Sequence, residues 1–234
     1  MKIVILQPSY LPWLGYFDQM ARCDQFVFLD DVQFTRRDWR NRNKIRTVND
    51  WAWLTVPILQ KNKFDQTLAQ AKIDNSISWR DKHREAIRHN YVKTPFFDLY
   101  FPYFESILNK EWRFLVDLCL ETTLHLKGIL KITTPTLRSS EAGVEGKRAD
   151  KILKLCKKLG ASYYLSGDSA EDYLAPVVED FLRNGIQLEY HNYEHPCYSQ
   201  RFPGFLPYLS VIDLLFNHGD QSLGILLTED DPGR

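Results

Sequence analysis

Short, continuous apolar runs alternate with longer amphipathic segments along the chain. The run KIVIL at residues 2–6 and the run QFVFLDD at 25–31 are typical of strands buried on both faces of a parallel sheet. Between them, residues 13–23 repeat apolar side chains with the period of an amphipathic helix. The start of the chain therefore predicts a β-α-β unit, whose two strands run parallel.

The middle of the chain changes from a strand pattern to a helical period. WAWLTVPIL at 51–59 predicts a third strand, and three amphipathic segments predict a helical insertion at about residues 77–130. Strand–helix alternation resumes in a C-terminal α/β part at about 131–225. The pattern predicts a single α/β domain over residues 1–234, with a mostly parallel, Rossmann-like sheet, flanking helices and the helical insertion in the middle.

The charge balance restricts the classes of partner. The chain has 30 basic and 30 acidic residues, and this formal net charge of zero argues against general nucleic-acid or membrane-surface binding, which needs a global basic excess. No apolar run approaches the ~18 residues that span a bilayer, and MKIVILQP lacks the apolar core of a signal peptide, so no membrane insertion is expected. The four cysteines lie far apart without metal-ligand spacing and predict reduced thiols in a cytoplasmic protein.

Polar residues follow the predicted strands at their carboxyl ends. Ligands of open parallel sheets bind at this edge, outside the carboxyl ends of the strands. We therefore expect one rim to carry Gln7, Pro8 and Tyr10; Asp30 and Asp31; Arg138, Ser139 and Ser140; Ser166, Gly167 and Asp168; and His191 to Tyr193.

The segment 36–46 has the strongest local charge in the chain. Arginine presents a planar fork that binds phosphate and carboxylate groups in a bidentate manner. One interpretation is a phosphate or diphosphate site shaped by Trp39 and Asn41, and the alternative is a solvated basic loop. The cations that stand there against Asp38 alone are Arg36, Arg37, Arg40, Arg42, Lys44 and Arg46.

Two aspartates and two histidines are candidates for catalysis. Asp30 and Asp31 end the second predicted strand, where they could act as a base, orient the arginines or hold a Mg²⁺ ion that bridges phosphates. The alternative is a turn or a helix cap. His191 and His195 follow a strand and titrate near neutral pH, which suits general acid–base work. We expect the catalytic group among His191, Asp30 and Asp31.

The stretch QPSYLPWLGYFDQM at 7–20 combines aromatic side chains with prolines and a glycine. Core elements avoid Pro and Gly, and plain connectors are short of aromatic residues. We expect Tyr10, Trp13 and Tyr16 to line a pocket and stack on a sugar or base, with Gly15 in the turn. In the alternative interpretation, the rings cap the core beneath the helices.

The stretch YLSGDSAEDYL at 164–174 predicts a strand that ends in Ser-Gly and enters a helix. Free backbone N–H groups at such a junction can bind an anion. Neither GxxxxGK[ST] nor GxGxxG occurs in the chain, and a plain helix cap is the alternative interpretation.

These stretches together resemble the WbqC-like proteins of bacteria. The resemblance rests on QPSYLPWLGYFDQM, DQFVFLDDVQFTRRDWRNRNKI, WLTVPI, YLSGDSAEDYL and YSQRFPGFLPYLSVIDLLFNHG, which extend over nearly the whole chain. Members of the family are similar to proteins encoded among genes for O-antigen and other surface polysaccharides, which implies a role in modifying a nucleotide-linked sugar. The family pattern falls on Gln7, Pro8, Tyr10, Leu11, Pro12, Gly15, Tyr16, Asp30, Asp31, Arg40, Asn41, Ser166, Gly167, Tyr173, Gln200, Asp213 and Asn217.

A more distant resemblance concerns PWLGYF, between the first strand and the first helix. It is similar in position to the P-x-H-x-G-H type motif of adenylyl- and cytidylyltransferases of the HIGH superfamily, which implies a HIGH-nucleotidyltransferase-like N-terminal unit. Gly15 matches that motif, whereas Trp13 and Tyr16 stand where the two histidines would be. Neither an indole nor a phenol is positively charged at neutral pH, so the resemblance implies the fold and not that phosphoryl chemistry.

The sequence thus predicts a transferase that acts on a nucleotide-activated (amino) sugar or a related phosphorylated small molecule in surface-polysaccharide biosynthesis. One alternative is a non-catalytic nucleotide- or sugar-binding module, and a second, least favoured, is a nucleic-acid binder that uses Arg36–Arg46. The expected substrate-binding residues are Gln7, Pro8, Tyr10, Trp13, Gly15, Tyr16, Arg36, Arg37, Arg40, Asn41, Arg42, Ser166, Gly167, Tyr173 and Gln200.

Overall fold

The predicted β-α-β unit forms the start of the protein in its computed structural model, which describes residues 1–35, 38–59, 66–167, 170 and 174–227. Strand β1 is Lys2–Leu6, helix α1 is Leu14–Ala21 and strand β2 is Gln25–Phe28. The two strands pair in parallel, with Ile3 opposite Gln25. The first strand, helix and second strand are therefore confirmed.

Three further strands complete a five-stranded parallel sheet: β5 (Thr136–Arg138), β6 (Tyr163–Gly167) and β7 (Gln187–His191). The strand order is β5-β2-β1-β6-β7, and every neighbouring pair is parallel. The predicted α/β class with a parallel sheet and flanking helices is confirmed. Strands β2 and β5 lie on one side of β1, and strands β6 and β7, which come later in the chain, lie on the other side. The gap between β1 and β6 is therefore a topological switch point.

Helices separate the two parts of the sheet and cover it, as the sequence periods predict. Of the helix predicted after Gly167, residues 168, 169 and 171–173 lie outside the described residues, and the chain from Leu174 continues through a 3₁₀ turn at Ala175–Val177 into the helix Val178–Arg183. The helices are α2 (Trp79–Tyr91), α3 (Phe97–Asn109) and α4 (Leu115–Ile129) in the insertion, then α5 (Arg148–Leu159), α6 (Val178–Arg183), α7 (Val211–His218) and α8 (Ser222–Leu226). That the whole chain is one domain stays a prediction.

Strands β3 (Arg42–Arg46) and β4 (Trp51–Thr55) form a separate antiparallel hairpin. The expectation of a third strand at 51–59 is correct only to Thr55, and the C-terminal half of the basic segment is a strand rather than a loop. The basic segment can form a strand because its side chains alternate: Asn43 and Ile45 point into the core, while Arg42 and Lys44 lie on the opposite face.

Apolar side chains fill both faces of the parallel sheet. On β1, Val4 belongs to the cluster that includes α1 and the insertion helices, whereas Ile3 and Ile5 belong to a second cluster with α5 and α6. This two-sided burial explains why KIVIL is a continuous apolar run rather than an alternating one. None of the described helices is both long and apolar enough to cross a membrane.

The turn between β1 and α1 depends on a close approach. A Cβ atom on Gly15 would lie 2.4 Å from Cη2 of the Trp13 indole, so only glycine leaves room for this ring. The Asn43 side chain supports the same turn from β3 by donating from Nδ2 to the Leu11 carbonyl over 2.6 Å. Leu11 has a left-handed backbone, with φ of 46°, that this contact helps to hold.

The insertion reaches the opening turn through a buried histidine on α2. The Tyr10 hydroxyl lies 3.0 Å from Nδ1 of His83, and the same ring hydrogen-bonds to the Thr55 backbone. Burial lowers the pKa of His83 to about 4, from a usual value of 6.5, despite the opposing effect of that backbone hydrogen bond.

We expect His83 to make the protein less stable in mild acid. Below pH 6.5 the unfolded chain binds a proton at this histidine, whereas the folded protein binds it only near pH 4. The free energy of unfolding is therefore highest above pH 6.5 and decreases as the pH falls from 6.5 towards 4. The loss amounts to about 3 kcal/mol for such a pKa difference. Urea unfolding at pH 7 and pH 4.5 should show a smaller acid loss in His83→Asn than in the wild type. His89→Asn, an exposed change on the same helix, is the control, and equal pH dependence in His83→Asn and wild type would refute the assignment.

Candidate functional site

A cavity of about 1010 Å³ opens at the carboxyl edge of the parallel sheet. Gln7 after β1 and Ser166 and Gly167 of β6 form its sheet side, Asp31 after β2 lies on one wall, and the first turns of α5 form another wall. The cavity thus occupies the switch point between β1 and β6, where sheets of this topology bind ligands.

Positive side chains dominate the charged groups of the cavity. Arg40, Lys147, Arg148 and Lys151 line it, and Asp31 is the carboxylate among the lining residues that the structure describes. Lys147 and Arg148 are exposed, whereas Lys151 is 5% exposed. An opening of this charge attracts anions, because the low-dielectric walls strengthen the field of the cations.

Arg40 is the member of the predicted arginine segment that reaches the cavity. Its Nε donates to Oε1 of Gln7 over 2.5 Å, and its Nη1 donates to the Ser9 hydroxyl over 3.4 Å. The Asp38 carboxylate lies 3.8 Å from Nη2. The side chain is held from β1, so its guanidinium is positioned before any ligand arrives.

The start of α5 supplies three cavity cations that the sequence analysis did not predict as binding residues: Lys147, Arg148 and Lys151. Gly146 has φ of 147°, and a Cβ there would lie 2.6 Å from Oδ2 of Asp150, so glycine is needed before the helix. Arg148 follows with φ of 50°, a strained conformation for a residue with a side chain. The signal in the sequence was GKR at residues 146–148, which places two basic residues at the N-terminus of a predicted helix. The helix dipole favours anions at that end, so the combination indicates an anion site.

Lys151 ties α5 to the end of β2. Its Nζ donates to Oδ2 of Asp31 over 2.6 Å and to the Val144 carbonyl over 3.1 Å. Asp31 also accepts from the Ser139 hydroxyl over 2.6 Å. Lys151 is therefore both a structural link and part of the cavity wall.

Asp30 was predicted as catalytic, and the structure places it away from the cavity. The carboxylate is fully buried and accepts from the guanidinium of Arg138, at 2.8 Å from Nε and 2.7 Å from Nη2, and from the backbone and hydroxyl of Ser140. Burial opposes ionisation, but the hydrogen bonds from Ser140 and Arg138 outweigh it and hold the pKa of Asp30 below its usual value. Asp30 fastens the end of β2 to the end of β5.

The alternative role of the two aspartates as a Mg²⁺ site does not fit these contacts. Arg138 and Lys151 bind Oδ2 of Asp30 and of Asp31, and Ser139 and the Ser140 backbone donate to the Oδ1 atoms, so the oxygens that a hard divalent cation needs are already bound by donors. In the described parts of the chain, no group of three or more His, Cys, Asp or Glu side chains is placed to hold a metal ion.

His191 was also predicted as catalytic, and its imidazole is engaged elsewhere. Its Nε2 lies 2.5 Å from Oδ2 of Asp18, and Arg22 donates to the same oxygen over 2.7 Å. His191 is buried, stacks on Tyr193 and does not line the cavity. Its contacts instead join the end of β7 to α1.

The aromatic residues of the opening stretch fit the alternative interpretation, in which they cap the core. Tyr10 and Tyr16 are 1% and 4% exposed and belong to the core cluster, and neither lines the cavity. Trp13 is half-buried and packs against Tyr193 and Tyr208. The prediction that these rings line a ligand pocket is not supported by their positions.

The other predicted binding residues divide into three groups. Gln7, Arg40, Ser166 and Gly167 meet in the cavity with Asp31. A second group has structural contacts: Pro8 is buried, Asn41 donates to the Val56 carbonyl, Arg42 lies over Trp53, and Gln200 binds Asp213 and the backbone of Leu206. Arg36, Arg37 and Tyr173, with Asp168 of the expected rim, lie outside the described residues.

The fold and the cavity together define a Rossmann-like α/β protein with a cationic, ligand-sized cavity at the switch point of its parallel sheet. The chain belongs to the WbqC-like protein family, whose model matches residues 7–225. It is 34% identical over 223 residues to "Uncharacterized protein Rv1507c" of Mycobacterium tuberculosis (strain ATCC 25618 / H37Rv), and this alignment covers 94% of the chain and 95% of that protein. No solved structure matches the chain.

We expect Asp30→Ala to destabilise the protein strongly. The change leaves the guanidinium of Arg138 and the donors of Ser140 without their buried partner, and breaking such a pair costs on the order of 3 kcal/mol. Urea unfolding measures this loss. Asp150→Ala removes an exposed ion pair with Lys154 and should cost less than about 1 kcal/mol. Wild-type stability in Asp30→Ala would show that Asp30 is not a structural link.

Proposed function

We propose that the cavity binds a phosphorylated or nucleotide-linked small molecule, and that the protein is a transferase acting on a nucleotide-activated (amino) sugar or a related compound. The observation that carries the proposal is the cationic cavity at the carboxyl edge of the sheet, lined by Arg40, Lys147, Arg148 and Lys151. A role in bacterial surface-polysaccharide synthesis is the setting that the sequence resemblance implies.

The charge of the cavity favours a diphosphate over a neutral sugar. Lys151 is balanced by Asp31, whereas in the described part of the chain no carboxylate forms an ion pair with Lys147 or Arg148, and the ion pair of Arg40 with Asp38 is long, at 3.8 Å. The chain as a whole is neutral, so this concentration of charge is local. A ligand with two or more negative charges gains most from such a site.

The size and lining of the cavity favour a ligand larger than a monosaccharide. A volume of about 1010 Å³ lies at the upper end of the ~300–1,000 Å³ range of small-molecule sites. Ile5, Leu29, Ile152 and Tyr164 supply apolar walls beside the cations. These walls suit the ring portions of a nucleotide or sugar, with the phosphates placed against Arg40 and the start of α5.

Asp31 is the candidate general base of the transfer. It lines the cavity, whereas Asp30 and His191 do not, and its orientation is fixed by Lys151 and Ser139. In this role the carboxylate takes the proton of the acceptor hydroxyl or amine that attacks the activated sugar. The surrounding cations stabilise the negative charge on the departing phosphate.

The first test is a thermal-shift screen of the protein against nucleotides, nucleotide sugars and coenzyme A derivatives, each with and without magnesium. A ligand of the folded state raises the unfolding midpoint as its concentration exceeds its Kd. We expect at least one nucleotide sugar to give a clear shift. Failure of every nucleotide and nucleotide sugar to shift the midpoint would contradict the proposal.

We expect Arg40→Ala to bind the ligand from that screen at least tenfold more weakly, because a hydrogen bond to a charged group contributes about 1.5–3 kcal/mol. Calorimetric titration measures the affinity, and circular dichroism checks that the variant is folded. Arg183→Ala, which removes an exposed arginine paired with Glu179 on α6, should bind as the wild type does. Equal affinity of Arg40→Ala and Arg183→Ala would show that Arg40 does not bind the anion and would contradict an anion site in this cavity.

Asp31→Asn separates a transferase from a non-catalytic binding module with the same cavity. General acid–base catalysis contributes typically 10²–10⁴-fold, so the variant should lose about 10²-fold or more in kcat. It should still bind the anionic ligand, because the amide leaves the charge of Lys151 unbalanced in the cavity wall. Release of the nucleotide in the presence of candidate acceptors measures turnover. A wild-type protein that binds the nucleotide sugar and never releases nucleotide would favour the binding module.

A further inference from the structure

The outer face of the β3–β4 hairpin carries a cluster of exposed indoles and cations that the cavity does not use. Trp39 is 40% exposed and Trp51 is 38% exposed, with Trp53 between them. Arg42 and Lys44 lie on the same face. We call these five residues the tryptophan face.

Strand pairing assembles this face. Lys44 stands opposite Trp53, so their side chains share the face that alternation turns away from the core, while Asn43 and Leu54 are buried on the other. Trp39 joins from the preceding turn. The ring centroids are 5.1 Å apart for Trp39 and Trp53 and 5.5 Å apart for Trp53 and Trp51, so the indoles form a continuous row.

The cations lie on the rings. The Lys44 ammonium is 4.1 Å from the Trp51 ring centroid, 5.3 Å from that of Trp53 and 5.8 Å from that of Trp39. The Arg42 guanidinium lies 4.2 Å from the Trp53 centroid. Among the described residues, no carboxylate forms an ion pair with Lys44. Ring contacts leave the full charge of the Lys44 ammonium for an anion of a partner.

We propose that the tryptophan face binds single-stranded nucleic acid. A row of aromatic rings interleaved with cations matches the two repeating features of such a strand, which are flat bases and a phosphate between each pair of them. Duplexes hide their base faces, so they offer this row only phosphates. The net charge of zero, which argued against nucleic acid for the chain as a whole, does not describe this local surface.

The number of cations favours a single strand over a lipid surface. Recognition of anionic lipids takes clusters of about 4–8 Lys or Arg side chains, and the tryptophan face offers Arg42 and Lys44. Arg46 does not add to them, because it is 4% exposed and its guanidinium donates to the carbonyls of Thr47, Asp50 and Pro203.

The test is fluorescence anisotropy of labelled dT12 titrated with the full chain, beginning at 20 mM salt. We expect binding to dT12, much weaker binding to a 12-base-pair duplex, and a small salt dependence. With Arg42 and Lys44 as the phosphate contacts, log K should fall against log[salt] with a slope of about −1.4, since each contact to a single strand contributes about −0.7.

Variants locate the site. Trp51→Ala and Trp39→Ala remove exposed rings, and each should weaken dT12 binding at least fivefold, while Tyr163→Ala, an exposed aromatic outside the face, should not. Lys44→Ala should reduce the salt slope by about 0.7, and Lys82→Ala on α2 should leave it unchanged.

Several results would overturn the proposal. They are no dT12 binding at 20 mM salt, equal affinity for the duplex, and undiminished affinity in the Trp39→Ala/Trp51→Ala double variant. Binding of vesicles of phosphatidylcholine and phosphatidylglycerol, or of an acidic oligosaccharide such as a polygalacturonate fragment, in place of dT12 would assign the face to that partner instead. The cavity plays no part in this test, so its outcome is separate from that of the nucleotide-sugar screen.

Discussion

Two neighbouring carboxylates at the end of β2 hold the carboxyl edge of the sheet together. Asp30 is fully buried and binds Arg138 at the end of β5 and Ser140 just after it, so the edge strand stays aligned with β2. Asp31 binds Lys151 and thereby places α5 against the same edge. Buried charges are tolerated only when they are paired and hydrogen-bonded, and here each pair crosses between different elements. The wall of the cavity follows from these pairs, because they set where α5 begins.

The basic segment that dominates the sequence does not act as one site. Arg40 turns towards the cavity, where Gln7 holds it, while Arg42 and Lys44 lie on tryptophan rings on the outside of the hairpin. Arg46 is buried and serves the backbone of its own turn. Arg42, Lys44 and Arg46 share one face of β3, and Arg46 differs from the other two because the carbonyls of Thr47, Asp50 and Pro203 bind its guanidinium. A segment that resembles one anion site in sequence thus contributes to two surfaces and to the core.

The parallel sheet and most helices could be predicted because their signals are local. KIVIL and QFVF are continuous apolar runs that only two-sided burial explains, and the helical periods of α2 to α5 are regular. The carboxyl-edge rule brought Gln7, Asp31, Ser166 and Gly167 to one cavity. The sequence could not supply the choice of partners: Arg138 binds Asp30 outside the cavity, Asp18 binds His191, and Lys151 of α5 binds Asp31 at the cavity wall. These partners are more than a hundred positions apart in the sequence, and hydrophobic periodicity carries no information about contacts at that separation.

Hydrogen–deuterium exchange with and without inorganic pyrophosphate tests the central claim most directly, because the charge of the cavity favours a diphosphate, the group that nucleoside-diphosphate sugars carry. The account predicts slower exchange in residues 144–152 and after β1, where the cavity is lined by Lys147, Arg148, Lys151 and Gln7. Unchanged exchange at both places at saturating pyrophosphate, or protection confined to other parts of the chain, would contradict the assignment of this cavity as the anion site.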